Sequence, residues 1–179
     1  MQGSKNVLIL AVLLALTGCV SSGRVQHAGP VTTGIPVSLD FALVETTATP
    51  GDLDAETRLL NESIISDLRG HAIFDEVDAA IPAGDTGPVN GVKIKVVVKD
   101  IKKISNNERA WAGALAGRAR IVAEVTVSDL SSGKLIETFG AMGESSGGSN
   151  LAGTTDEAVQ RVAEQIVGQI IKISRLTSP

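Results

Sequence analysis

Two histidines, one cysteine and a few closely spaced carboxylates are the reactive side chains of this 179-residue sequence. Metal ions are held by clustered His, Cys, Asp or Glu. His27 and His71 stand far apart, so no metal site is expected. Asp75, Glu76 and Asp78 form a short acidic run, and Asp156-Glu157 opens an apolar stripe near the end of the chain. Paired carboxylates do acid–base work only in a cleft that shifts their pKa values. At a helix start the macrodipole already accounts for them. Solvated or capping roles are expected. No Gly-x-Ser-x-Gly elbow or Ser-His-Asp context is present. Gly140-Ala-Met-Gly-Glu-Ser-Ser-Gly-Gly-Ser lies before the last apolar stripe, but no Lys follows its glycines as a phosphate loop requires. A strand-to-helix connection is expected there, with weak anion binding at a helix N-terminus as the alternative. The remaining cluster is Arg109, Trp111, Arg118 and Arg120 around Gly113 and Gly117. Trp beside Arg is the composition of interaction hot spots. Close backbone packing at a strand start would explain the glycines equally well. These four residues are the candidate partner surface. The reading is of a protein without catalysis or cofactor.

Cys19 has a different role. Val7 to Leu16 is unbroken apolar sequence after a short polar start with one cation, Lys5. About ten such residues cover only half of a bilayer core, so the segment is a secretory signal and not a lone spanning helix. It ends in Leu16-Thr17-Gly18-Cys19. This resembles the bacterial lipobox, Leu-x-[Gly/Ala]-Cys. The resemblance implies diacylglyceryl transfer to the Cys19 sulfur, cleavage between Gly18 and Cys19, and acylation of the new amine. Two or three acyl chains hold nearly permanently, where one holds only marginally. In Gram-negative lipoproteins an Asp after the cysteine tends to retain the protein in the inner membrane. Val20 therefore implies the outer membrane, with the domain facing the periplasm.

The formal net charge is −4, and loss of the signal removes one cation and no acid. An acidic chain is a poor partner for nucleic acid or for anionic lipid headgroups. Phe41, Phe74, Phe139 and Trp111 are the only aromatics. That shortage argues against stacking platforms for sugars or bases. With its one cysteine acylated, the chain has no disulfide, and stability must come from packing.

The elements follow from periodicity. Residues 1–18 are the signal and residues 19–34, rich in Gly, Ser and Thr, read as a flexible tether of some tens of Å. Residues 35–176 read as a single domain. Val37, Leu39, Phe41 and Leu43 alternate with polar or small residues and predict a half-buried strand. Leu53, Leu60, Ile64, Ile65 and Leu68 recur at helical spacing over 53–69, with Gly70 as terminator. Ala72 to Val77 predicts a short strand, and 80–90 a loop. Residues 91–103 and 120–127 alternate clearly. Asp129-Leu-Ser-Ser-Gly-Lys134 predicts a hairpin into a strand at 135–142. Ser145 to Gly153 is a second Gly/Ser loop. Thr154 and Glu157 predict a capping box, followed by a stripe of Ala158, Val159, Val162, Ile166 and Ile170. The expected fold is α/β (α+β), in the order β-α-β-β-β-β-α. A single mixed, mostly antiparallel sheet of about five strands carries two amphipathic helices on one face.

The run Arg109-Ala-Trp-Ala-Gly-Ala-Leu-Ala-Gly-Arg-Ala, the alternating strand after it and Asp129-x-x-Ser-Gly-Lys-Leu together resemble a family of bacterial lipoproteins, the domain of unknown function numbered 4410. The resemblance spans roughly residues 35–175 and implies an envelope lipoprotein with no catalytic residues to carry over. More distantly, the element order is similar to curli-secretion lipoproteins and to the amino-terminal domain of the Tol-system propeller protein, which are assembly modules. The expected function is a non-enzymatic interaction or assembly module of an envelope complex. The alternative is a lipoprotein that binds a small ligand or cell-wall fragment through the Gly/Ser loop and Arg118 or Arg120. Exposed strand edges also allow homo-oligomers.

Overall fold

The computed structural model describes residues 23–27, 40–49, 53–81, 90–104, 107, 117–146 and 153–175. The signal segment with Gly18 and Cys19 lies outside the described residues, as do Arg109 and Trp111.

Six strands form one mixed sheet: β1 (Gly23–His27), β2 (Phe41–Ala48), β3 (Glu76–Asp78), β4 (Gly91–Lys102), β5 (Arg120–Asp129) and β6 (Leu135–Glu144). Their spatial order is β1-β6-β5-β4-β2-β3. The contacts β1/β6, β6/β5 and β5/β4 are antiparallel, while β4/β2 and β2/β3 are parallel. Among the described residues, two long helices pack beside the sheet, α1 (Asp54–His71) and α2 (Thr155–Arg175). A parallel pair needs a crossover connection, and α1 supplies it between β2 and β3.

Both helices pack on one face of the sheet and against each other. Val44, Ile94, Val125 and Phe139 from the strands meet Ile64 of α1 and Ile166 of α2, all fully buried. Every second residue of β4 and β5 points into this core, as the alternation requires. A register shift between Val98 and Asp100 marks a bulge in β4. Polar bonds tie the layers: Gln160 Nε2 donates to Ser63 Oγ between the helices at 3.0 Å, and Gln169 Nε2 to Glu137 Oε1 between α2 and β6 at 3.1 Å.

The structure departs from expectation at four places. Gly23–His27, inside the expected tether, is a strand paired with Phe139–Gly143 of β6. It was illegible because Gly-Arg-Val-Gln-His offers a single apolar residue to a half-covered edge. The sheet therefore has six strands. The first central strand is displaced, and Phe41 to Val44 are buried in succession, since β2 lies inside the sheet. Helix α1 runs past Gly70 and ends at Ala72, whose φ of 48° is left-handed and whose N–H donates to Arg69 O. Strand β6 extends to Glu144, because Gly143 sits where the α2 backbone crosses. A Cβ there would meet Ala158 O and Val162 N, each at 2.5 Å.

Candidate interaction site

Of the four residues expected at a partner surface, Arg118 and Arg120 are described. Arg118 precedes β5 and Arg120 begins it, next to Gly117 with φ +81°. Arg118 Nη1 lies 3.8 Å from Glu144 Oε2, and Arg120 Nη2 donates to Asp100 Oδ2 at 2.8 Å. The Arg120–Asp100 pair is exposed and ties β5 to β4, and the Arg118–Glu144 pair, half-buried at Glu144, ties the approach to β5 to β6. Each contributes at most about 1 kcal/mol.

The Gly/Ser loop meets α2 in a closed polar knot. Ser145 N–H donates to Ala119 O, Ala119 N–H to Ser145 Oγ, and Ser145 O–H to Gly153 O. Thr155 joins the end of β4 by accepting from Ile104 N–H and donating to Ile104 O. Glu157 accepts three bonds: from Ser146 N–H at 3.0 Å, Ser146 O–H at 2.9 Å and Gly153 N–H at 2.8 Å. Burial alone would raise this carboxyl. The Ser146 and Gly153 bonds and the nearby Arg161 outweigh it and hold the group below its usual range. Thr154 Oγ1 accepts weakly from Glu157 N–H, the other half of the capping arrangement. A side-chain carboxylate thus occupies the place that an external anion would take, which removes the basis for anion binding by these donors.

The acidic run after α1 is ordinary surface. Asp75 and Glu76 are exposed, and Asp78 pairs with Arg69, whose guanidinium also donates twice to Val77 O. No group of three metal-ligating side chains occurs among the described residues. Nor is any helix among them long and apolar enough to cross a membrane. The hairpin follows expectation: Gly133 has φ +70°, and Asp129 accepts from Ser132 Oγ, Ser132 N–H and Ser131 Oγ, which hold its pKa at about 2.

One concave feature was not expected. Strand β3 pairs with only the first three residues of β2, Phe41 to Leu43. Beyond Leu43 that side of β2 has no neighbouring strand among the described residues. An open groove of about 650 Å³ lies there, between Val44–Thr47 and α1. Ala79 bounds it where β3 ends, and Ile65 lies along its apolar side. Glu45, Asp54 and Glu62 line it against one cation, Arg58. Thr46 Oγ1 donates to Asn61 Oδ1 at 2.8 Å within it, and Glu45 pairs with Lys93 at 2.7 Å. The only signal in the sequence was the shortness of the apolar run Ile73 to Val77 beside its longer neighbours.

This sheet is the one expected of the resemblance noted above. A domain of unknown function, DUF4410, matches residues 45–149, more than half of the chain. The protein belongs to the DUF4410 family. Among solved structures, its fold is similar to a PelC dodecamer from Paraburkholderia phytofirmans (TM-score 0.50, 16% identity), covering 83% of this chain and 95% of that one. It is also similar to protein XCC0632 from Xanthomonas campestris, of family DUF330 (TM-score 0.52, 12% identity), covering 82% and 92% respectively. At these identities the likeness is one of fold. No curated protein matches the sequence. In this DUF4410 chain the match begins in β2 and ends in the Gly/Ser loop. It includes α1 and both ends of the polar knot's strands, while β1 and α2 lie outside it.

Proposed function

We propose that this DUF4410 protein is an outer-membrane lipoprotein, anchored through Cys19 with its domain in the periplasm, and that it works without catalysis as an assembly module. The observation that carries the anchoring is the lipobox-like Leu16-Thr17-Gly18-Cys19 at the end of a short apolar segment. The assembly reading rests on the sheet. Among the described residues no strand pairs with the outer side of β1 or with β2 beyond Leu43. The similar PelC fold is known as a dodecamer. Sheets with open edges are ready templates for another chain.

Intact-mass analysis of the protein extracted from its native membrane tests the anchor. The expected polypeptide begins at Cys19 and carries two or three acyl chains. A terminus without acyl groups, or residues 1–18 still attached, would overturn it. Cys19→Ser is expected to move the protein from the membrane fraction to the soluble periplasmic fraction. The assembly half is tested by light scattering of the acylated protein in detergent, which is expected to report a mass above one chain.

A further inference from the structure

Resting on that assembly reading, we infer that copies of this chain join by strand addition: β1 of one copy pairs antiparallel with residues Glu45–Ala48 of β2 in the next.

The backbone of β2 supplies the acceptor. Thr49 N–H donates to Val98 O on the β4 side, and Asp40 O accepts from Glu76 N–H on the β3 side. Main-chain groups alternate in direction along a strand. The N–H and C=O of Thr46 and Ala48 therefore point to the β3 side, beyond the last rung of the ladder at Leu43↔Asp78. Val44 is itself fully buried, so the open stretch is the four residues 45–48, beside the five of β1. Neither segment contains the Pro or Lys that commonly protects an edge.

Direction and register agree. β1 is antiparallel to β6, β6 to β5 and β5 to β4, whereas β4 is parallel to β2. Strand β1 therefore runs opposite to β2. Copies in a common orientation present the two as an antiparallel pair. Setting Gly23 against Ala48 places Val25 opposite Thr46 and Gln26 opposite Glu45. Val25 is half-buried against the core, and Thr46 bonds to Asn61 of α1, so both lie on the helix face. Arg24 and Gln26 then fall on the outer face with Thr47 and Glu45. A slip of one residue would turn Val25 to the wrong side.

Charge selects unlike edges. Arg24 is exposed, and in this register it is the diagonal neighbour of Glu45. Pairing β1 with β1 would bring arginines together, and pairing β2 with β2 would bring Glu45 near its copy. Joining two different patches makes a heterologous contact, which closes into a ring or runs on as a filament. Rotation about an axis along the strands keeps every Gly23 at one end. Every Cys19, four residues earlier in sequence, is then within reach of about 14 Å of that end, as anchoring in one membrane requires.

Acylated Cys19 is not a free thiol, so introduced cysteines would be the only reactive ones. Full-length protein carrying Val25→Cys and Thr46→Cys is expected to form a ladder of disulfide-linked dimers, trimers and higher species on oxidation, with neither single variant doing so. Arg24→Glu, a surface change that leaves the core intact, is expected to weaken assembly at least tenfold at low salt. A dimer from Val25→Cys alone would overturn the inference in favour of like-edge pairing. An assembly of unchanged mass that neither crosslinks at 25–46 nor responds to Arg24→Glu would overturn this interface and leave the assembly reading standing. A single-chain mass at every concentration would overturn both.

Discussion

Glu157 shows how one side chain takes up the donors around a helix start. Its carboxylate fills three donors at the start of α2, two from Ser146 and one from Gly153. Glu157→Gln is expected to cost about 1 kcal/mol at neutral pH, the usual worth of a helix cap. The sign of the pH dependence follows from the direction of the shift. The folded pKa lies below the unfolded value of 4.5, so the carboxylate's contribution is fully present above that value. It is lost as pH falls through the lower folded pKa. Urea titrations of both proteins should diverge at pH 7 and converge as pH drops below 4.5. A gap that does not change with pH would mean that the charge is not what matters. The Thr154/Glu157 spacing was readable in the sequence. The carboxylate's reach to Ser146 was not, since that contact depends on β6 delivering the loop beside the helix.

At the level of elements, the two glycines Gly143 and Gly70 make a contrast. Gly143 lets the α2 backbone lie on β6, with Ala158 O and Val162 N where a Cβ would stand. Gly143→Ala is expected to lose about 3 kcal/mol or more by overpacking. Gly70 lies inside α1 with nothing within 4 Å of a Cβ. Gly70→Ala is expected to gain about 0.5–1 kcal/mol through helix propensity. Thermal unfolding of the two variants should move in opposite directions, and a harmless Gly143→Ala would contradict the packing described for α2. The helices were legible because their stripes repeat at 3.6 residues over five or six turns. Strands β4 and β5 were legible through clean alternation. Strand β1 was not, and neither was the groove. A sheet edge is set by which strand stops first, and β3 stops after three residues.

For the whole molecule, Arg118 and Arg120 of the expected partner surface and the groove beside β2 are different places. Composition favoured the first because Trp and Arg are visible as residue types. An exposed backbone edge carries no residue signature, since its chemistry is that of the peptide group. The anchored protein is therefore expected to behave differently from the Cys19→Ser form in one measurable way. At equal total protein, the Val25→Cys/Thr46→Cys pair should crosslink at least tenfold more in vesicles than the unanchored Cys19→Ser form of the same double variant does in buffer. Equal yields would mean that the membrane plays no part in bringing edges together.

That difference traces to the strand found inside the expected tether. Gly23 follows Cys19 by only four residues, which limits the link to about 14 Å at full extension. With acyl chains at Cys19, the domain has no long leash on which to roam the periplasm. Acylation of Cys19 would hold it at roughly headgroup height, free to spin and glide within a thin layer. Neighbours in that layer meet at an effective concentration far above the bulk value. An edge contact too weak to persist in dilute solution would then suffice.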